Sequence, residues 1–163
     1  MGITDDFGAT LAQLNYSGML LANSVLEQDE DSYEDDQSNN NQDNRRKASN
    51  IEFRPFNEWK QAKTWTYSFK NGESVECLAM GSGWCCCLTN FGYIRVFTHG
   101  GIQKQILCQG AAVVSMAGYE NLLAVVYHSG PSVYGQQAMR VKTINMSHRD
   151  YTILSDVDFP VSR

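Results

Sequence analysis

No stretch of this chain comes near the ~20 consecutive apolar residues that a membrane-spanning helix requires. That excludes a helical membrane protein. The first ten residues, Met1–Thr10, lack the basic start and apolar core of a secretory signal. Also missing is any long window in which apolar residues recur at the ~3.6-residue period of a helix, so a helical bundle is excluded. A disulfide framework is excluded too. The five cysteines, Cys77, Cys85, Cys86, Cys87 and Cys108, are odd in number, and three are adjacent. The expectation is a soluble intracellular protein whose free thiols act as small apolar side chains.

What is present is an apolar content of 42% in 163 residues, enough to build the core of one domain. The net charge of −5 argues against a nucleic-acid surface spread over the whole chain. That charge is local, however. Glu27, Asp29, Glu30, Asp31, Glu34, Asp35, Asp36 and Asp43 supply it, and the remainder is close to neutral or slightly basic.

Short apolar runs rich in β-branched and aromatic residues alternate with Gly, Asn, Ser and Asp, a pattern of short strands and tight turns. From Ser74 the pattern is clearest. Strands are expected over Ser74–Met80, Trp84–Thr89, Tyr93–Thr98 and Ile102–Leu107, with turns at Gly81–Gly83, Asn90–Gly92 and Gly100-Gly101. Four hairpin-linked strands in about 35 residues have the size of one propeller blade. The plan repeats over Ala112–Ala117, Leu122–His128, Ala138–Asn145 and Asp150–Leu154. Gly81 and Gly118 take equivalent turns about 37 residues apart. Ala9–Leu14, Met19–Asn23, Ile51–Phe56 and Thr64–Phe69 give an earlier unit of the same kind. The expected fold is all-β, a partial β-propeller of about three four-stranded antiparallel blades. They span about 9–69, 74–107 and 112–154 within a single 1–163 domain.

The first blade carries a polar acidic insertion, 27–49, too poor in apolar residues to offset the entropy of ordering it, and a disordered loop is expected. Ser32, followed by Glu34 and Asp35, suits an acid-directed kinase, although such serines are common in acidic loops. Arg45-Arg46-Lys47 is too short to be a secure localisation signal.

Chemistry is sought and not found. Cys85-Cys86-Cys87 lies on a strand, so its outer two members share one face and Cys86 takes the other. Zinc ligands space themselves by two to four residues and add a second pair, which Cys77 and Cys108 do not form. Core packing explains the run better. His99, His128 and His148 have no Ser or Cys partner in a nucleophile motif. His99 reads as a turn residue or an exposed contact. The pairs Gly81/Gly83 and Gly100/Gly101 precede strands, not helices, so hairpin geometry accounts for them and phosphate binding does not. Asp156 and Asp158 read as loop residues. Trp84 opens a central strand and reads as inter-blade core. Trp59 and Trp65, near Lys60 and Lys63, read as packing residues before a nucleic-acid stacking patch. No catalytic residue, cofactor or metal is expected.

Several ordered blocks are more specific. They are Gly83-Trp84 with small Cys85–Cys87 and then Thr89, Arg95-Val96-Phe97-Thr98-His99-Gly100-Gly101-Ile102-Gln103-Lys104, Val113-Val114-Ser115-Met116-Ala117-Gly118 and Val126-Tyr127-His128-Ser129-Gly130. On these blocks, and on Leu14-Asn15-Tyr16 and Met19–Ala22, the chain resembles the middle region of a replication-fork scaffold family. This is the chromosome transmission fidelity and acidic nucleoplasmic DNA-binding protein family, whose animal members are WD repeat and HMG-box DNA-binding proteins. The resemblance covers most of the chain apart from the acidic insertion. It marks Gly83, Trp84, Phe97, Gly100, Gly101, Gln103, Lys104, Ser115, Met116, Gly118, Tyr127 and His128 as family-motif residues of structural type.

The resemblance implies a second, six-bladed propeller that drives trimerisation. Next to it a helical bundle docks peptides of the replicative helicase complex and of DNA polymerase α–primase. It implies nuclear localisation, indirect association with chromatin, and a role in replication and sister-chromatid cohesion. It further implies a chain of about half that propeller, without the N-terminal WD-repeat propeller, the bundle or the HMG box, as in a fragment, an isoform or an incomplete gene model. No small-molecule substrate and no membrane partner are expected, and direct DNA binding by this piece is doubtful. The competing reading is a propeller adaptor outside replication, in trafficking or ubiquitin ligation.

Overall fold

The computed structural model describes residues 7–23, 49–56, 63–70, 72–132, 137–147 and 151–159. The acidic run with Ser32 and Arg45-Arg46-Lys47, and also Trp59, Lys60 and His148, lie outside the described residues.

Twelve strands and no helix occur among the described residues. They are β1 (Leu11–Leu14), β2 (Gly18–Asn23), β3 (Asn50–Pro55), β4 (Trp65–Ser68), β5 (Val75–Met80), β6 (Trp84–Thr89), β7 (Tyr93–Thr98), β8 (Gln103–Cys108), β9 (Val113–Tyr119), β10 (Leu122–His128), β11 (Met139–Asn145) and β12 (Thr152–Asp158). Each consecutive four form one antiparallel meander, β1-β2-β3-β4, β5-β6-β7-β8 and β9-β10-β11-β12. The all-β expectation therefore holds. The first strands of successive sheets lie side by side, β1 beside β5 and β5 beside β9. That is how propeller blades meet at their inner edge.

Most strand ends shift by a residue or two from the expected ones, and three differences bear on the seams. Strand β9 runs through Gly118 to Tyr119, and the hairpin turns on Glu120-Asn121 alone. Strand β12 continues to Asp158, so Asp156 and Asp158 are strand residues and not loop residues. Ser49, expected inside the disordered insertion, is buried. Its hydroxyl donates to the Asn23 carbonyl (2.5 Å) and accepts from Val75 N–H (3.2 Å), while its carbonyl accepts from Phe69 N–H (2.9 Å). Composition hid this because a lone serine at the end of a polar run looks like its neighbours. Its three partners come from β2, β5 and the residue just past β4.

The sheets stack face to face through two apolar seams. In the first, Leu20, Ala22, Ile51 and Phe53 of the first sheet meet Leu78, Met80, Cys85, Cys87 and Phe97 of the second. In the second, Ala79, Trp84, Cys86, Leu88, Ile94 and Val96 meet Met116, Leu123, Val125 and Ile144 of the third. The middle sheet is thus covered on both faces, and all six residues of β6 are buried. Side-chain alternation sends Cys85 and Cys87 into one seam and Cys86 into the other. A run of three small residues fits a strand whose neighbours approach from both sides. Each fully buried Phe (Phe53, Phe69, Phe97) contributes roughly 2–3 kcal/mol of transfer free energy to this stack.

Candidate functional site

The residues singled out in the sequence gather into the devices that hold the seams shut. Trp84 opens β6, and its indole N–H donates to the Glu120 carbonyl of the next sheet (2.8 Å). Ser82 N–H donates to the same oxygen (2.7 Å). Glu120 sits at φ 47, and no other described non-glycine residue has positive φ. Bending into the left-handed region lets one carbonyl serve two donors, which offsets the conformational cost. Gly118 closes this latch. A Cβ there would lie 2.2 Å from the Met80 carbonyl oxygen and 2.9 Å from the Trp84 ring. Gly83 lies beside Ser82 in the β5–β6 turn.

A second indole latch joins the first two sheets. Trp65 N–H donates to the His99 carbonyl (2.9 Å). Gly101, at φ 85, lies against the indole, where a Cβ would come within 2.9 Å. Phe97 packs 5.6 Å from Trp65 and 5.1 Å from Tyr67 between ring centroids. The His99 ring stacks on Phe53 at 4.8 Å with its Nε2 3.2 Å from the Trp84 carbonyl. Burial pulls its pKa below the ordinary histidine value, and the Trp84 and Gly81 carbonyls oppose that shift in part. His99 is therefore a half-buried seam residue as well as a turn residue. Gly100 is exposed on the same turn.

Charged groups close the outer margins. Arg95 forms a two-pronged pair with Glu73, both bonds 2.7 Å, and a third bond to the Gln103 side chain (3.2 Å). The hydrogen bonds that Arg95 donates to the Glu73 carboxylate raise the Arg95 pKa further. A polar cleft of about 420 Å³ lined by Tyr67, Ser68, Lys70, Glu73 and Arg95 lies beside this pair. At the margin of the second seam, the Tyr127 hydroxyl donates to the Asp156 carboxylate (2.7 Å). That bond to the carboxylate raises the tyrosine pKa. Lys142 lies over the Tyr127 ring at 5.0 Å and donates to Gln109 (2.8 Å). Lys104 approaches the Tyr151 ring at 5.7 Å.

Two motif residues stand apart. Ser115 and His128 lie on the uncovered face of the third sheet, Ser115 opposite Val126 and His128 opposite Met139. Met116, one residue on, turns into the seam. The twelve motif residues therefore do not converge on one pocket. Ten serve seams or the turns beside them, and two mark an open face. Local sequence does not mark Glu73, Arg95, Glu120 or Asp156 as seam residues, because each acts through a partner distant in sequence.

Among the described residues no further sheet packs on the outer faces of the first and third sheets, and these faces differ. That of the first sheet mixes Ala12, Leu14 and Met19 with buried Leu21 and the Glu52–Arg54 ion pair, to which Thr66 adds a hydrogen bond (3.3 Å). That of the third sheet presents Ala117, Tyr119, Leu122, Ala124, Val126, Val141 and Val157 in register, interspersed with Ser115, His128, Thr143, Asn145 and Ser155. It has the small and branched character of the seams already formed.

The buried thiols give a direct check of this packing. Burial pushes the Cys85 pKa up to about 12, and Cys86 and Cys87 also rise. Cys108 is exposed. Mass-spectrometric alkylation mapping near pH 8 is expected to find Cys108 labelled first. The three β6 thiols should react at least about a hundredfold more slowly, through opening of the seams. Equal rates at Cys86 and Cys108 would contradict the double-sided burial.

Four-stranded antiparallel meanders stacked face to face, inner strand beside inner strand, define a segment of a β-propeller. The chain belongs to the family described as Minichromosome loss protein, Mcl1, middle region, whose model matches residues 1–163. It is similar to WD repeat and HMG-box DNA-binding protein 1 of Xenopus laevis, 28% identical over 161 residues, which cover 99% of this chain and 13% of that protein. The mouse protein of the same name is 32% identical over 116 residues, covering 71% and 10%. Protein ENHANCER OF LHP1 1 of Arabidopsis thaliana is 32% identical over 144 residues, covering 88% and 13%. The chain spans about an eighth or less of the length of these relatives.

Proposed function

We propose that this chain is a non-catalytic scaffold segment acting in the nucleus in DNA replication. In this reading it forms part of a propeller through which the full-length protein self-associates. The full-length protein holds the replicative helicase and DNA polymerase α–primase together through regions outside this segment, and supports sister-chromatid cohesion. Family membership supports the replication setting, and the relatives' names supply the DNA connection. The scaffold role rests chiefly on one observation. Most of the motif residues, together with Trp65, Glu73 and Arg95, are spent on indole latches, an ion pair and seam packing, while a largely apolar sheet face lies open among the described residues. Such a face is built for protein contact.

Two measurements bear on this. The isolated chain is expected to self-associate or aggregate in sedimentation velocity, and Val126→Lys together with Val141→Lys on the open face should shift it towards monomer. A sharp wild-type monomer would contradict the sticky face. For the role, the full-length protein containing this segment should retain polymerase α–primase and helicase subunits in a pull-down from nuclear extract. Recovery of trafficking or ubiquitin-ligase components in their place would overturn the replication reading.

A further inference from the structure

The stack of sheets has a direction. The face of a sheet that looks towards the next sheet in sequence is its front, and the opposite face is its back. Both seams set a front on a back. The two kinds of face differ in charge. Every back carries charged side chains on its third strand: Glu52 and Arg54 on β3, Arg95 on β7, Arg140 and Lys142 on β11. Among the residues paired in the ladders, no front holds an Asp, Glu, Lys or Arg. The front of the third sheet, with Val126, Val141 and Val157, follows the same rule. Two faces are therefore left over, a front on the third sheet and a back on the first.

Size is matched from front to back at the row beside the first hairpin of each sheet. The register Leu14↔Met19, Met80↔Cys85 and Gly118↔Leu123 puts Leu14, Met80 and Gly118 at the same place on the three backs. The first residues of the second strands, Gly18, Trp84 and Leu122, take the corresponding place on the three fronts. In the first seam this row has the smallest side chain on the front, Gly18, and a large one on the back, Met80. In the second the order is reversed, and the Trp84 ring lies 2.9 Å from the Cβ position of Gly118. The row left over pairs two residues of middle size, Leu122 on the front and Leu14 on the back. Met80 is 1% exposed, whereas its counterpart Leu14 is 58% exposed and Leu122 40%. The hydrogen bonds at this row also run one way, from the earlier sheet to the later. Asn15 donates to the Gly81 carbonyl, and Ser82 and Trp84 donate to the Glu120 carbonyl.

We propose that copies of this chain join head to tail, the front of the third sheet of one copy packing on the back of the first sheet of the next. The inference deepens the self-association proposed above and rests on it. The back that suits the open front is present on every copy. Leu21 on that back is already buried, so the contact falls on Ala12, Leu14 and Met19. Packing two third sheets front to front would leave Leu14 in water, and packing two first sheets back to back would crowd two Glu52–Arg54 pairs together. A head-to-tail contact uses two different surfaces, so a copy blocked at one of them still has the other to offer.

The test uses two variants of the full chain in sedimentation velocity. Val126→Lys with Val141→Lys blocks the front of the third sheet, and Ala12→Lys with Leu14→Lys blocks the back of the first. Each variant alone is expected to self-associate at least about tenfold more weakly than wild type, because a lone charge is buried in the contact. Mixed in equal amounts they should form a one-to-one pair that grows no further, since each supplies the face the other lacks. Circular dichroism melts near that of wild type show that both variants fold. Wild-type-like association of the Ala12→Lys, Leu14→Lys variant overturns the proposal, because the third sheet would then pair with itself. A mixture that stays monomeric while wild type associates also overturns it, and leaves self-association standing by another contact. A monomeric wild type removes both.

Discussion

Gly118→Ala is expected to destabilise the chain strongly. The new Cβ would sit 2.2 Å from the Met80 oxygen and 2.6 Å from its carbonyl carbon. Those atoms are backbone in β5, which belongs to the sheet gripped on both faces, so no flexible side chain can move aside. The clash must push the third sheet off the second. That would also break the Trp84–Glu120 and Ser82–Glu120 hydrogen bonds, which meet at one oxygen. A loss of about 3 kcal/mol or more is expected from overpacking that cannot relax. Gly110→Ala is the control, since nothing lies within 4 Å of its Cβ position, and it should change stability by less than about 0.5 kcal/mol. Urea denaturation of the three proteins under identical conditions measures both. Gly118→Ala within experimental error of wild type would mean that the turns do not touch as described.

The second large effect is expected at Glu73. The Arg95–Glu73 pair lies at the margin of the first seam, with side chains only 16% and 6% exposed. Glu73→Ala leaves a guanidinium with its principal partner gone, and removing one member of a buried pair costs about 3–5 kcal/mol. Arg95 is somewhat the more exposed partner, and Gln103 still bonds it, so the lower part of that range is expected. Replacing both residues by methionine should recover most of the loss, because apolar groups of similar size fill the space without stranding a charge. A double variant no more stable than Glu73→Ala would show that the pair does more than fill and neutralise the margin.

Much of the architecture was legible in the sequence, for a physical reason. Strand alternation, Gly-rich turns and the repeat linking Gly81 to Gly118 are local signals, and each sheet is a local meander. The run Cys85–Cys87 points to two-sided burial because adjacent strand residues face opposite sides and all three are apolar. The seam chemistry was less legible, because it joins residues far apart in the chain. Trp65 meets His99, Trp84 meets Glu120, and Glu73 meets Arg95, each across a gap that no local pattern spans. Asp156 read as loop because acidic residues usually mark one. Tyr127, Arg140 and the β11 ladder hold it in an edge strand instead. Ser49 was hidden by the polar run it terminates.

The central claim is that the second sheet is clasped between the first and the third. Residue-resolved amide hydrogen exchange on the chain tests it most directly. The account predicts the slowest exchange at β6, with protection falling towards the outer strands β4, β8 and β12, whose edges face solvent. Exchange at Cys85–Leu88 as fast as at Ile153–Val157 would contradict it.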